Sequence, residues 1–187
     1  MQTPIGTIMQ LGYVVDNLEQ AVEQWHARTG VGPFYMMDAI GMDNYRYRGV
    51  SMPVEMRLAF GYWGSVQVEF IQPIGDGETF YHHALRDGAN QLNHYATIVD
   101  NIETLLDERA LHDKVIHEAV MPSGLRFVYL EHYFPGGQHL ELIEAQPSTV
   151  QAFGAMQAIA ANWNGERPLR PMSDVARDIQ ALASHSD

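Results

Sequence analysis

The chain of 187 residues contains no cysteine, few basic residues and no long apolar segment. The lack of cysteine excludes a disulfide framework, a thiolate metal site and a thiol nucleophile, so any bound metal must use nitrogen and oxygen ligands. No apolar run approaches the roughly 18 residues of a membrane-spanning helix, so no membrane span is expected. The first residues also lack the basic and apolar segments of a secretory signal, and a cytoplasmic location is the expectation.

Acidic residues dominate the charge. The chain has 11 Lys and Arg against 23 Asp and Glu, which gives a formal net charge of −12. Such a surface repels polyanions, which argues against nucleic-acid partners and weakens the case for a substrate with several phosphates, such as an acyl-CoA. A hydrophobic fraction of 46% and a charged fraction of 18% are typical of a globular protein, and a small molecule is the expected ligand.

The sequence repeats itself. Val14–Glu19 returns 84 residues later as Ile98–Glu103, and Ser65–Gln72 returns 72 residues later as Gly137–Glu144. The two spacings differ because the loop near Met42–Pro53 is longer in the first copy. The sequence therefore predicts two structural modules of the same kind.

Each copy predicts a strand, a helix and three further strands, because apolar and polar residues alternate along the strand segments. Asp16 or Asn17 can cap the first helix, and Asp100 or Asn101 can cap the second. The predicted strands lie at 7–15, 33–40, 54–62 and 65–72 and then at 93–99, 114–120, 125–132 and 138–144, with helices at 18–29 and 102–111. These elements divide a single domain, residues 1–146, into modules over about 5–75 and 90–146.

A different pattern begins after Gln146. Two helical segments, at about 148–163 and 173–184, flank a turn-rich strap. They predict a helical C-terminal extension over residues 147–187 that covers one module or a dimer interface. Small cupped sheets leave strand edges that need covering, so a homodimer or larger assembly is expected.

The repeat aligns polar residues on equivalent strands. Gln10 aligns with His94 on the opening strands, and Glu69 aligns with Glu141 on the closing strands. Helices cover only one face of such a sheet, so these side chains would share the other, concave face. Two carboxylates buried there would repel unless a divalent cation neutralised them, and the four side chains offer a suitable set of oxygen and nitrogen ligands. Taken singly, either Glu could instead face water on an open sheet.

Several segments resemble the vicinal oxygen chelate superfamily, which includes glyoxalases, bleomycin-resistance proteins and extradiol dioxygenases. They are the opening strands Ile8–Leu18 and Asn93–Asp100 and the closing strand His139–Glu144, and the resemblance covers about residues 5–146. It implies an α+β fold in which two tandem βαβββ modules form an open, cupped mixed sheet around a divalent metal. The family's metal positions fall on Gln10, Glu69, His94 and Glu141.

The ligand set implied by this resemblance is similar to that of the zinc-type glyoxalase I branch. Zinc is therefore the expected metal, although nickel, cobalt, manganese and iron also fit these ligand types. Only one His stands at the four positions, which disfavours the oxygen chemistry of the iron-dependent ring-cleaving members. No basic cluster is present to hold glutathione, which argues against lactoylglutathione lyase activity itself.

The expected function is that of a metal-dependent lyase or isomerase, including an epimerase. Its substrate would be a small, fairly apolar hydroxy- or keto-carbonyl compound that reacts through an enediolate-type intermediate, with Glu141 or Glu69 transferring the proton. The main alternative is a metal-free protein that sequesters a small molecule, as bleomycin-resistance proteins do. An iron-dependent ring-cleaving dioxygenase is a third, less favoured interpretation.

Three further residues are candidates for substrate contact. His139 shares the strand face of Glu141, two residues away. Arg57 could pair with a substrate carboxylate if it points inward, or equally with a Glu. The resemblance places His83 near the cavity mouth, where it could shuttle a proton, although a surface His pair with His82 is the simpler interpretation.

Overall fold

A single sheet of eleven strands organises the protein. The computed structural model describes residues 5–184, so the first four and last three residues, which fall in the predicted domain and extension, lie outside the described residues. The strands are β1 (Gln10–Val14), β2 (Phe34–Gly41), β3 (Asp43–Tyr47), β4 (Val50–Ser51), β5 (Glu55–Trp63), β6 (Val66–Pro73), β7 (Gln91–Val99), β8 (Val115–Val120), β9 (Arg126–Leu130), β10 (His139–Glu144) and β11 (Leu169–Pro171).

Five α-helices accompany the sheet. They are α1 (Leu18–Thr29), α2 (Phe80–Gly88), α3 (Ile102–Arg109), α4 (Pro147–Ala161) and α5 (Val175–Ser184). Of the alternative caps, the structure uses Asn17 and Asn101, whose side chains accept from Gln20 N and Thr104 N at 2.8 Å each. None of the helices in residues 5–184 is long and apolar enough to cross a membrane.

The strand order is β11-β2-β5-β6-β1-β7-β10-β9-β8-β3-β4. Each module contributes four consecutive strands, and the opening strands β1 and β7 pair antiparallel at the centre. Each opening strand also runs parallel to the closing strand of its own module, β1 with β6 and β7 with β10. The predicted α+β architecture, with a large curved mixed sheet, is confirmed.

Apolar residues divide between the two faces of the sheet. On one face, α1 buries Leu18 and Val22 against the first module, and α3 buries Ile102 and Leu106 against the second. The largest cluster includes residues from both modules on the other face, such as Phe60. Because the two module helices α1 and α3 pack on the first of these faces, polar side chains on the other face can meet across the module boundary.

The long loop of the first module contains structure that the sequence did not predict. Its strands β3 and β4 cross to the second module, where β3 pairs with β8 and places Arg46 opposite Glu118. Tyr45 anchors this crossing, because its buried hydroxyl accepts a hydrogen bond from Phe80 N at 2.8 Å. The connector between the modules, predicted as a connecting segment, forms α2.

The C-terminal extension packs on the first module. Strand β11, which the sequence did not predict, adds parallel to β2, and α4 packs against β5. The Tyr35 hydroxyl donates to Asp178 Oδ2 at 2.8 Å, and Arg170 Nη1 donates to the same oxygen at 2.6 Å. These contacts join α5 to β2, so the extension covers the first module, one of the two arrangements that the sequence allowed.

Candidate metal centre

The four predicted ligands stand on the four central strands of the sheet. Gln10 lies on β1, Glu69 on β6, His94 on β7 and Glu141 on β10, and these strands are adjacent in the order β6-β1-β7-β10. Their exposed fractions are 2%, 7%, 0% and 6%, so all four are buried. Module duplication therefore brings residues far apart in sequence to one place.

Three of the side chains meet directly. His94 Nε2 lies 3.3 Å from Glu69 Oε2 and 3.3 Å from Glu141 Oε2. One ligand atom from each of the three residues lies within 4.8 Å of the other two, which is close enough for a single ion to join them. The Glu141 oxygen forms no well-aligned hydrogen bond, so this contact is one of charge and proximity.

Gln10 is oriented by a chain of hydrogen bonds within the first module. Its Nε2 donates to Gln67 Oε1 at 2.7 Å, and Gln67 Nε2 donates in turn to the Tyr62 hydroxyl at 3.0 Å. The amide nitrogen of Gln10 is thereby occupied. Its oxygen, Oε1, is buried without a hydrogen-bond partner, and Gln10 lines the same cavity as Glu69 and Glu141.

The second module orients His94 by a neighbouring amide and by packing. Asn93 Oδ1 lies 3.2 Å from His94 Nδ1 and can accept its proton, which leaves Nε2 to face the two carboxylates. The ring packs edge-on against Tyr129 with centroids 4.8 Å apart. It also lies over Gly12 of β1, where an added Cβ would stand 1.8 Å from the imidazole Cε1. The glycine is therefore required for this placement.

Burial and proximity perturb the acid–base properties of the site. Burial lowers the pKa of His94, but the carboxylates of Glu141 and Glu69 outweigh burial and raise it to about 9. Burial raises the pKa of Glu69, with His94 opposing and the Glu141 carboxylate adding to the rise. At neutral pH and without a bound cation, His94 therefore carries a proton between the two acids.

These residues fit a divalent cation. The buried Gln10 oxygen and Glu141 oxygen lack hydrogen-bond donors, and two acids share a site with a low exposed fraction. One imidazole nitrogen with oxygen donors suits zinc and neighbouring divalent metals. The structure thus shows a candidate buried metal site at Glu69, His94 and Glu141, to which Gln10 can contribute a fourth ligand.

The site opens into an apolar cavity of about 310 Å³. Gln10, Glu69 and Glu141 line it together with Tyr81 and Tyr129. Much of the remaining wall is methionine, from Met37, Met42, Met121, Met156 and Met172. The last two belong to the C-terminal extension, which therefore forms part of the pocket.

The three predicted substrate-contact residues do not line this cavity. Arg57 donates to Asp38 at 2.7 Å and also pairs with Glu19, which is the pairing with an acid that the sequence allowed as one of two alternatives. His83 lies 3.0 Å from Glu78 and faces a second cavity of about 240 Å³. His139 is buried and also lines that second cavity, and its ring packs on Phe80 with centroids 5.1 Å apart.

Sequence reasoning missed the residues that support the ligands. Gln67, Tyr62 and Tyr129 contact Gln10 or His94 directly or through one hydrogen bond. Gln67 had a usable signal, because it shares the strand face of Glu69. Tyr62 and Tyr129 had none, since their contacts depend on the register of neighbouring strands: Tyr62 pairs with Gln67 and Tyr129 pairs with Glu141.

The fold and the candidate site define a class of protein with two βαβββ modules around a buried centre of carboxylate, imidazole and amide groups. Residues 9–129 match the model of the Glyoxalase/Bleomycin resistance protein/Dioxygenase superfamily, and because this match spans more than half of the chain, the protein belongs to that superfamily. The superfamily is usually metal-dependent and includes epimerases and other enzymes. A search of curated protein sequences found no match.

Solved structures support the fold. A hypothetical protein from Bacillus halodurans C-125 is 15% identical, with a TM-score of 0.53, over 75% of this chain and 94% of its own. Methylmalonyl-CoA epimerase from Mycobacterium tuberculosis is 16% identical, with a TM-score of 0.52, over 81% of this chain and 96% of its own. At such identities the likeness concerns the fold alone.

Proposed function

We propose that the protein is a metal-dependent isomerase, epimerase or lyase that acts on a small, fairly apolar hydroxy- or keto-carbonyl compound. The observation that carries the proposal is the cluster of Glu69, His94 and Glu141 beside one apolar cavity, whose wall includes both acids and Gln10. A buried centre of acids beside a pocket suits proton transfer at a carbon next to a carbonyl group. The epimerase of similar fold is compatible with this chemistry.

The ligand residues have distinct roles in this proposal. Gln10, Glu69 and His94 would hold zinc or another divalent ion together with Glu141. When bound, such an ion supplies Lewis-acid polarisation of the substrate's adjacent oxygens, which favours an enediolate-type intermediate. Asn93 lies against His94 Nδ1, which leaves Nε2 facing the acids, and Gln67 accepts from Gln10 Nε2, which leaves the buried Gln10 oxygen without a hydrogen-bond partner and available to a cation.

Glu141 is the proposed base. Its Oε2 is buried, forms no well-aligned hydrogen bond and belongs to a side chain that lines the cavity. It can therefore accept a proton from a substrate carbon and return the proton to the same or an adjacent position. Glu69 is the second candidate for this step, because its carboxylate also lines the cavity.

Metal content and proton exchange test the proposal together. The full chain would be loaded with zinc and analysed for bound metal, and 2-hydroxyacetophenone would be incubated with it in D₂O while exchange at the carbinol carbon is followed by NMR. Glu141→Gln should retain zinc but lose exchange, whereas His94→Ala should lose zinc. Glu55→Gln, at an exposed position of β5, is the matched control and should change neither.

The proposal would be wrong if the wild-type protein bound no divalent metal, or if Glu141→Gln and Glu69→Gln each exchanged the proton at the wild-type rate. In the first case a metal-free sequestering protein becomes the better interpretation. Iron with oxygen consumption would instead indicate a ring-cleaving dioxygenase.

We also propose that the protein forms a homodimer. Apolar side chains remain exposed on the monomer, among them Trp63 at 54% and Val50 at 59%. A second copy could cover such residues, since most soluble oligomers are symmetric homo-oligomers. Sedimentation at micromolar concentration should give about twice the monomer mass of 21.1 kDa, and a mass near the monomer value would contradict the proposal.

A further inference from the structure

The cavity beside the candidate metal centre has no cationic side chain in its wall. Among the residues of 5–184 that line it, the titratable groups are Glu69, Glu141, Tyr81 and Tyr129. The chain has 11 Lys and Arg in total, and none of them lines this cavity. Several are committed elsewhere, such as Arg57 to Glu19 and Asp38 and Arg170 to Asp178.

We propose that the substrate is an uncharged, largely apolar compound whose only polar end is its pair of adjacent oxygens, and that the C-terminal extension forms the wall that selects it. The proposal rests on the proposed function and narrows its substrate class.

The balance of charge in the pocket disfavours an anionic substrate. The carboxylates of Glu69 and Glu141 already match the two charges of a divalent ion, so no net positive charge remains for an acid group of the substrate. A carboxylate placed deeper in the pocket would face methionine and aromatic side chains such as Phe153. Burying an unpaired charge among such groups carries a large desolvation cost.

The volume of the pocket points the same way. About 310 Å³ lies at the lower end of the roughly 300–1,000 Å³ that is usual for small-molecule sites. A compound carried on a nucleotide would extend its phosphates beyond the pocket. The surface outside belongs to a chain with a formal net charge of −12, which repels them.

The C-terminal extension supplies the apolar wall. Ala152, Phe153 and Met156 of α4 line the cavity, and Met172 lines it from the strap that follows. Gln157 Nε2 ties α4 to the turn between β5 and β6 by donating to Gly64 O at 3.2 Å. Methionine and phenylalanine side chains make an adaptable apolar surface that fits a hydrocarbon body.

Part of this wall lies outside the residues that match the superfamily model. The residues that match the superfamily model end at 129, so the extension lies outside them. The metal ligands Gln10, Glu69 and His94 lie within the matched range. The matched residues thus supply three of the four candidate ligands, and the extension supplies part of the apolar wall.

Two probes that share the chelating end and differ in distal charge test the proposal. Calorimetry would measure how 2-hydroxyacetophenone with a 4′-methyl group and the same compound with a 4′-carboxylate bind to the zinc-loaded full chain. The methyl compound should bind at least tenfold more tightly, because only the carboxylate needs a counter-charge in the wall. Equal or tighter binding of the carboxylate compound, or no measurable binding of either, would overturn the proposal.

A charge added to the extension sharpens the test. Ala152→Lys places an ammonium group at the cavity wall and should tighten binding of the carboxylate compound severalfold without changing zinc content. Val150→Lys is the matched control, since Val150 is 49% exposed on the same helix and does not line the cavity. If the two variants change the affinity for the carboxylate compound equally, the extension does not form the wall that selects the substrate.

The outcomes separate this inference from the proposed function. If the protein binds zinc and exchanges the substrate proton but binds the carboxylate probe more tightly, the proposed function stands and the inferred substrate class is wrong. A protein that binds no zinc loses the function, and its binding preference between the two probes still supports or overturns the inferred charge selectivity of the wall.

Discussion

In the first module, the opening strand presents Gln10 to the centre; in the second, the equivalent position holds His94. The amide belongs to a chain of hydrogen bonds through Gln67 to Tyr62, whereas the imidazole is held by Asn93 and by the ring of Tyr129. The duplicated backbone therefore places two candidate ligands of different chemistry at matched positions. One is neutral at all ordinary pH values, and the other titrates.

The two closing strands differ in the same way. Phe60 is the cross-strand neighbour of Glu69, and Tyr129 is the neighbour of Glu141. The Tyr129 hydroxyl lies 3.4 Å from His94 Nε2, so the second acid has a phenol nearby where the first has a phenyl ring. The two modules therefore share a framework but differ in the side chain that each brings to the centre: the first brings an amide held by hydrogen bonds, and the second brings a titrating imidazole beside the proposed base.

The largest effect should come from the glycine that lets the modules meet. Gly12 pairs with His94 across the central strands, while Gln10 pairs with Ala96, so only the imidazole needs a partner without a side chain. Gly12→Ala would place a Cβ 2.0 Å from His94 Nε2 and must displace the ring. We expect a loss of about 1–3 kcal/mol in the free energy of unfolding from overpacking, and a loss of zinc affinity of at least about 100-fold.

Thermal melting and competitive zinc titration would measure the two effects of Gly12→Ala. The matched control is Gly154→Ala on α4, where an added Cβ meets no heavy atom within 4 Å. It should leave zinc affinity unchanged and raise stability slightly, because alanine favours helix. Wild-type zinc affinity in Gly12→Ala would show that His94 is not held against β1.

The sequence predicts this fold well where the two copies repeat and poorly where they differ. The eight module strands follow from alternation, and the four candidate ligands are proposed because Gln10 aligns with His94 and Glu69 aligns with Glu141. The role of Gly12 and the partner of Tyr62 depend on strand register, which alternation does not give. The sequence did not predict strand β3, because its pairing partner, β8, lies in the other module.

Acid should destabilise the second module more than the first. His117 on β8 is 1% exposed, and its ring lies among aromatic rings, parallel to that of Phe80 with centroids 5.3 Å apart. Burial, with smaller contributions from His94 and His139, lowers the pKa of His117 to about 3. Below pH about 6.5 the unfolded chain therefore binds a proton that the folded chain does not, and stability falls as the pH falls from about 6.5 toward 3.

Replacing this imidazole tests that acid sensitivity. At pH 4.5, the loss due to His117 should be about 2–3 kcal/mol relative to neutral pH. His117→Phe should recover most of it, as measured by urea unfolding of the metal-free protein at pH 7 and pH 4.5. His112→Gln, at an exposed position, is the control and should recover little. An unchanged difference between the two pH values in His117→Phe would show that His117 does not titrate as expected; His139, whose pKa burial lowers to about 4, would then be the next candidate.

Zinc affinity should depend on pH through the second module only. A cation must displace the proton of His94, whose pKa the carboxylates of Glu141 and Glu69 raise to about 9 against the effect of burial. Apparent affinity should therefore rise about tenfold per pH unit below 9 for each proton released, as measured with a competing chelator between pH 6.5 and 8.5. His94→Gln should bind more weakly and flatten this slope, whereas Gln10→Ala should bind more weakly and keep it. A steep slope in His94→Gln would assign the released proton to another group, Glu69 being the nearest candidate.

The smallest effect should come from the far end of the hydrogen-bond chain in the first module. Tyr62→Phe removes the acceptor of Gln67 Nε2, which loosens Gln67 and, through it, the Gln10 amide, whose oxygen is buried without a hydrogen-bond partner. A neutral hydrogen bond contributes about 1 kcal/mol, so zinc affinity should fall by less than about tenfold, with the pH slope set by His94 unchanged. Tyr35→Phe is the matched control, because the Tyr35 hydroxyl bonds to Asp178 in the extension and not to the site. If Tyr35→Phe weakens zinc as much as Tyr62→Phe does, the effect is one of general stability. If only Tyr62→Phe weakens it, the first module orients its ligand through the phenol, two residues removed from the metal.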